Sequence, residues 1–138
     1  MNETALGLAE KFEGFSASPY LCPAGYWTNG FGNLCSKDTP KTTREEALVK
    51  LKSNLDRFER DVFRLCPVLL LESEKRQAAI IDFAFNLGSG RLQCSTLRRR
   101  INQRQWPEVR KELLKWVYGG GRVLPGLVLR RQAEAALI

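Results

Sequence analysis

The sequence predicts an α+β fold, with a small antiparallel sheet near the N-terminus and a larger helical lobe joined to it by one long helix. Three observations carry this. A Gly- and aromatic-rich stretch from Phe15 to Cys35 contains Asn29-Gly30, the strongest short hairpin signal in the chain. Thr43-x-x-Glu46 is a capping box that opens a long amphipathic run to about Leu65. Glu74 to Leu87 is apolar nearly all round, as a helix packed on several sides must be. At 138 residues the chain is the size of one domain with a full core. The sheet-containing lobe is expected at about residues 13–42, and the helical lobe at about 66–138 plus the N-terminal helix.

The elements follow in order. Ala5, Leu6, Leu8, Ala9 and Phe12 make one face of a helix from Glu3 to Phe12, which Gly14 stops. Cys22-Pro23-Ala24-Gly25 places proline and glycine where a type I turn needs them. Tyr26, Trp27 and Thr28 then read as a strand, with Phe31 and Gly32 beginning its partner. Leu48, Leu51, Leu55, Phe58 and Val62 form the stripe of the long helix, and Pro67 lies just beyond its end. Ser73 caps the central helix, and Gly88 and Gly90 close it. Three shorter helices are expected at Thr96–Gln103, at Pro107–Tyr118 with proline in the first turn, and from about Pro125 to the C-terminus. The triple glycine 119–121 reads as a flexible connection.

The net charge of +7 is unevenly spread. Residues 91–138 hold eleven Lys/Arg against Glu108, Glu112 and Glu134, a net of +8, whereas residues 1–90 carry eleven bases and twelve acids. Such a half suits an anionic partner, or else is a solvated helical surface. No stretch approaches the roughly 18 apolar residues of a membrane span. The first residues lack the layout of a signal peptide, so accumulation in the cytoplasm is expected. There is no histidine, and the cysteines at 22, 35, 66 and 94 form no C-x-x-C pair, so a zinc site is not expected, and the lysozyme-like reading given below needs no metal or organic cofactor. The four are expected to be free thiols, with Cys66 and Cys94 in the core.

The chemistry centres on Glu13, Cys22 and Thr28, spaced E-x8-C-x5-T. An acid at a helix end facing polar groups on a hairpin is a proton donor on one wall of a cleft, which glycoside cleavage requires. Glu13-Gly14, Cys22, Gly25-Tyr26-Trp27-Thr28, Gly30-x-Gly32, Gln77 to Gly88, Trp116, and Leu124-Pro125-Gly126-Leu127 with Arg130-Arg131 together resemble the phage-type lysozymes, endolysins of glycoside hydrolase family 24. The resemblance spans nearly the whole chain. It implies a lysozyme-like fold, and hydrolysis of the β-1,4 bond between N-acetylmuramic acid and N-acetylglucosamine in peptidoglycan, usually with inversion. It also implies a monomer that waits in the host cytoplasm until a separate membrane-permeabilising protein releases it to the periplasm and wall, without inserting stably in the membrane or binding nucleic acid.

Under that resemblance Glu13 is the general acid, and an apolar setting that raises its pKa would suit the role. Thr28 would hold the attacking water, since its hydroxyl both donates and accepts. Cys22 stands where aspartate is commonest. A thiol with a reference pKa of about 8.5 is only a few per cent thiolate at neutral pH, and an ionised Glu13 nearby would lower that fraction further. Base, nucleophile and filler of the turn therefore all remain open for Cys22. Asn86, Tyr26 and Trp116 are the candidate sugar contacts, although aromatics at such spacing more often belong to the core. Asn33 stands where many relatives carry histidine. Arg130 and Arg131 are expected to fix the last helix against the first. The missing aspartate also makes a lytic transglycosylase thinkable, and a wall-binding module of weakened catalysis or a basic nucleic-acid binder are the readings from other classes.

Overall fold

The computed structural model describes residues 1–138. Helix α1 (Glu3–Glu13) starts at Asn2, whose side chain accepts from the Ala5 N–H, and stops at Gly14 with φ +69°. A three-stranded antiparallel sheet follows in the order β1 (Ser16–Leu21), β2 (Trp27–Gly30), β3 (Asn33–Leu34). The first turn is closed by the Gly25 N–H donating to the Cys22 carbonyl at 2.8 Å. The β1–β2 register shifts between Ser16 and Tyr20, where Pro19 has no N–H to give.

The second hairpin departs from expectation. Asn29 pairs with Asn33, so Asn29-Gly30 ends a strand and the loop is Gly30-Phe31-Gly32, with both glycines at positive φ (+57° and +78°). The reason is tertiary. Phe31 is buried and packs on Phe15 with ring centroids 5.5 Å apart, so the turn forms around the residue that the core demands.

Helix α2 (Arg44–Leu65) joins the lobes; at 22 residues it is about 33 Å long. Thr43 accepts from the Glu46 N–H at 3.1 Å, as the capping box requires. A 3-10 helix at Pro67–Leu71 leads to α3 (Glu74–Leu87), capped by Ser73. Every residue from Ala78 to Ala84 is buried, because α1, α2 and the last helix all pack against α3. One apolar core of 23 buried residues runs from Ala5 through Phe31 to Ile138.

The C-terminal third holds the other differences. A short helix α4 (Ser89–Gln93) precedes α5 (Thr96–Asn102) and takes in Gly90. Helix α6 (Trp106–Leu113) ends well before Tyr118. The chain turns there because Trp116 packs edge-on against Phe83 and because Tyr118–Gly119 (β4) pairs with Arg122–Val123 (β5). Gly120 and Gly121, both at positive φ, form the two-residue turn. The triple glycine is thus a hairpin rather than a loose connection. Helix α7 (Pro125–Ala135) completes the chain. All four cysteines are free; Cys66 is buried, but Cys94, at the end of α4, faces solvent because Leu92 and Leu97 take the inward positions. No helix is long and apolar enough to cross a membrane.

Candidate functional site

Glu13 is the last residue of α1, where the helix end points its side chain between the lobes. It borders two cavities. One, of about 510 Å³, is walled by Phe12, Asn86, the start of α7 at Leu124–Leu127, and Arg130. The other, of about 320 Å³, is walled by Phe31–Asn33, Asn54, Arg57, Phe58, Phe85 and Asn86. The first is fairly apolar and the second polar, so Glu13 and Asn86 stand where two unlike halves of a cleft meet. The carboxyl is held on both sides. Oε1 accepts from Arg130 Nη1 at 2.8 Å, and Oε2 lies against the bare face of Gly32, where a Cβ would come within 3.0 Å of it. The carboxyl is therefore met by a guanidinium on one side and by backbone on the other, at the edge of the more apolar cavity. Glu13 keeps a quarter of its side chain exposed to the cleft.

Arg130 is itself fixed from behind. Its Nε and Nη2 donate to the two oxygens of Asp82 at 2.8 Å each, a bidentate pair between α7 and α3, and Asp82 is fully buried. Burial alone favours a neutral guanidine; the hydrogen bonds and charges of Asp82 and Glu13 outweigh it and hold Arg130 above its ordinary, already high value. The next residue continues the network. Arg131 Nη2 donates to Asn86 Oδ1 at 2.8 Å and to Glu134 Oε1 at 2.7 Å, with its guanidinium over the Phe83 ring. Burial, then the neighbouring Asp82 carboxylate, push the Glu134 carboxyl far up, against the pull of Arg131. Glu134 Oε2 has no hydrogen-bonding partner. A chain of polar groups runs from Glu13 through Arg130, Asp82, Glu134 and Arg131 to Asn86.

Cys22 and Thr28 meet on the sheet. The Tyr26 N–H is the strongest influence on the Cys22 sulfur. Desolvation opposes it, and the Ala24 N–H, the Thr28 hydroxyl and the Gly25 N–H add to it. The turn residues form a small nest of donors around the sulfur and hold its pKa below the usual thiol range. Glu13, expected to disfavour the thiolate, is not among the groups that act on it. Thr28 is nearly buried, and its one proton has two acceptors in reach: the Tyr26 carbonyl at 3.1 Å and the Cys22 sulfur.

Of the candidate sugar contacts, Asn86 lines both cavities. Its oxygen is taken by Arg131, which leaves the NH₂ free as a donor. Tyr26 is 61% exposed on the turn. Trp116 lines neither cavity and packs against the core. No cluster of three His, Cys, Asp or Glu is placed to hold a metal ion. Sequence reasoning missed Asp82, Glu134 and Gly32. The signal for Asp82 was a single acid inside an otherwise apolar helix, which has to be buried with a partner.

A family model described as phage lysozyme matches residues 10–134. An endolysin of Acyrthosiphon pisum secondary endosymbiont phage 1 is 31% identical, over 99% of this chain and 96% of its own length. An endolysin of Bacillus phage B103 is also 31% identical over 99% of this chain, which spans only 53% of that relative. Among solved structures, the active form of P1 phage endolysin Lyz superposes with a TM-score of 0.83 at 25% identity, covering 98% of this chain and 82% of that one. The muramidase domain of SpmX from Asticaccaulis excentricus gives 0.82 at 25% identity, covering 96% and 92%.

Asp82→Asn tests the support behind Glu13. Removing one partner of a buried ion pair should cost about 3 kcal/mol of stability, measured by denaturant unfolding. Below the melting temperature, lysis should fall roughly tenfold to a hundredfold as the carboxyl loses its fixed position. Unchanged stability and lysis would show that Arg130 needs no buried acid.

Proposed function

Because the chain belongs to the phage lysozyme family, we propose that it is a muramidase that cleaves the β-1,4 bond between N-acetylmuramic acid and N-acetylglucosamine. Family membership makes it a peptidoglycan hydrolase of the host-lysis kind; the bond and the mechanism are our reading. The observation that carries it is Glu13, the one carboxyl on the walls of both cavities, with one oxygen fixed by Arg130 and the other against the bare face of Gly32.

In this mechanism the proton sits on Oε2, since Oε1 already accepts from Arg130. It passes to the leaving sugar oxygen as the glycosidic bond breaks. Thr28 and Cys22 hold the water on the hairpin wall. With the Thr28 proton turned to the Tyr26 carbonyl, the hydroxyl oxygen and the sulfur can both accept from that water. The surrounding N–H donors favour the thiolate, so more of Cys22 is in the form able to accept a proton than in an ordinary cysteine, although each thiolate is a weaker base. Attack from the side opposite Glu13 inverts the anomeric centre. The free NH₂ of Asn86 suits a sugar acetamide oxygen, and the exposed Tyr26 offers a ring face. The same reading has one monomeric catalytic unit, held in the host cytoplasm until a separate membrane-permeabilising protein lets it reach the wall.

Glu13→Gln keeps the shape and the Arg130 contact but has no proton to give. The release of reducing ends from purified peptidoglycan should drop at least about 10²-fold with unfolding unchanged. Near-normal activity in a folded variant would remove Glu13 from the chemistry. Mass spectrometry of the products from the unaltered protein should show free reducing muramic ends. Products with 1,6-anhydro ends would mean that no water is activated and that the protein is a lytic transglycosylase.

The Cys22 thiolate gives a pH signature. Activity should fall as pH drops through the lowered thiol value and should be blocked by alkylation. Cys22→Ser should lose most activity, and Cys22→Asp should keep it and extend it to lower pH, because a carboxylate stays ionised there. Equal rates and equal pH profiles in all three proteins would make Cys22 a filler of the turn.

A further inference from the structure

The polar half of the cleft contains a cation that no group of the protein accounts for. The cavity of about 320 Å³ has two charged residues on its walls, Glu13 and Arg57. Asn54, Arg57 and Phe58 stand three and four residues apart on α2, so one face of that helix presents all three. Arg57 is exposed and makes no salt bridge. The one acid three or four residues from it is Asp61, which is already taken by the Ser89 hydroxyl at 2.7 Å and by Arg64 at 3.5 Å.

A second observation places the guanidinium. It lies over the Phe58 ring, 5.0 Å from the centroid. Phe58 in turn meets Phe85 edge-on with centroids 5.7 Å apart, and both rings wall the same cavity. Stacking on an aromatic face holds the plane of a guanidinium and leaves the N–H groups on its rim free to donate. The cavity therefore has a positioned fork of donors with no carboxylate to meet it. The other polar side chains on that wall, Asn33, Asn54 and Asn86, are neutral amides.

We propose that Arg57 is a specificity-determining residue that binds a carboxylate of the peptide stem carried by muramic acid, so that the cleft prefers anionic, stem-bearing glycan. The inference rests on the muramidase reading and names the part of the substrate that this half of the cleft receives. The sugar backbone is neutral, and the stem, joined through the lactyl ether of muramic acid, brings the negative charge nearest to the bond that breaks. A carboxylate matches the planar fork of arginine in pairs of hydrogen bonds. Arg57 is not spent on Glu13, whose oxygens meet Arg130 and the face of Gly32. Because Arg57 is exposed, the contact is worth a few-fold in affinity and weakens with salt.

Two substrates test this: soluble, uncross-linked glycan chains that bear stems, and the same chains with their stem carboxyls converted to carboxamides. In reducing-end release the unaltered protein should show a KM roughly fivefold lower for the carboxylate form, a preference that shrinks as salt rises. Arg57→Gln should raise KM on the carboxylate form by that factor with little change in kcat, which removes the preference. Arg57→Lys should keep part of it, since the charge remains and the fork does not. Equal KM values for the two forms with the unaltered protein would overturn the proposal. So would a preference that survives Arg57→Gln, or a loss in that variant that is equal on both forms. Calorimetric binding of the two forms to Glu13→Gln, with and without Arg57→Gln, reads the preference without cleavage. An unaltered protein that releases no reducing ends would therefore refute the muramidase reading, while a binding preference that disappears with Arg57 would still uphold the carboxylate contact.

Discussion

Everything at the cleft depends on one buried cation. Arg130 stands on the last helix, 48 residues from Asp82 and 117 from Glu13, and its guanidinium bonds to both. A charge that is 4% exposed is tolerable only if its donors are met, and three of them are met at 2.8 Å. Closing the final helix against α3 therefore also fixes the end of α1, where Glu13 emerges. The same neighbourhood contains a second buried cation, Arg131, and a second acid, Glu134. Arg131 is held there by Glu134 and Asn86, while Arg130 alone reaches Asp82 and Glu13. The fold sets the position of its acid by charge pairing rather than by an apolar pocket.

The hairpin wall works by a different device. The backbone of the Cys22–Tyr26 turn, Tyr26 first, draws the Cys22 thiol below its ordinary pKa. Gly25 at φ +86° allows that turn, and Gly32 at φ +78° lets the next loop approach the Glu13 carboxyl without a Cβ in the way. On the opposite wall Asn86 is oriented by Arg131, so the polar chain that begins at Glu13 ends on the residue facing it across the cavities.

Local signals were legible in the sequence and non-local ones were not. The Thr43 and Ser73 caps and the stripe on α2 are short-range features, and they gave the helices to within a residue or two. Gly120-Gly121 is also a local hairpin signal, and could have been read as one instead of as a flexible join. Phe31 shows the limit, because only its burial in the distant core explains why the turn slid past Asn29-Gly30. The same holds for the arginines of α7. Their charge counted toward a basic tail in the sequence, while the fold buries them in ion pairs. Glu13, Cys22 and Thr28 stood out as a spacing and a resemblance, and of the three only Glu13 borders the two cavities. The arrangement that positions Glu13 spans three helices and could not be.

The central claim is that Asp82 acts on the reaction only through Arg130. A double-mutant cycle in lysis rate, with Asp82→Asn and Arg130→Gln alone and together and each assayed below its own melting temperature, tests this directly. The account predicts that the double variant is no slower than Arg130→Gln, since Asp82 has nothing left to hold. Losses that multiply would show that the two residues serve the site independently, and would contradict it.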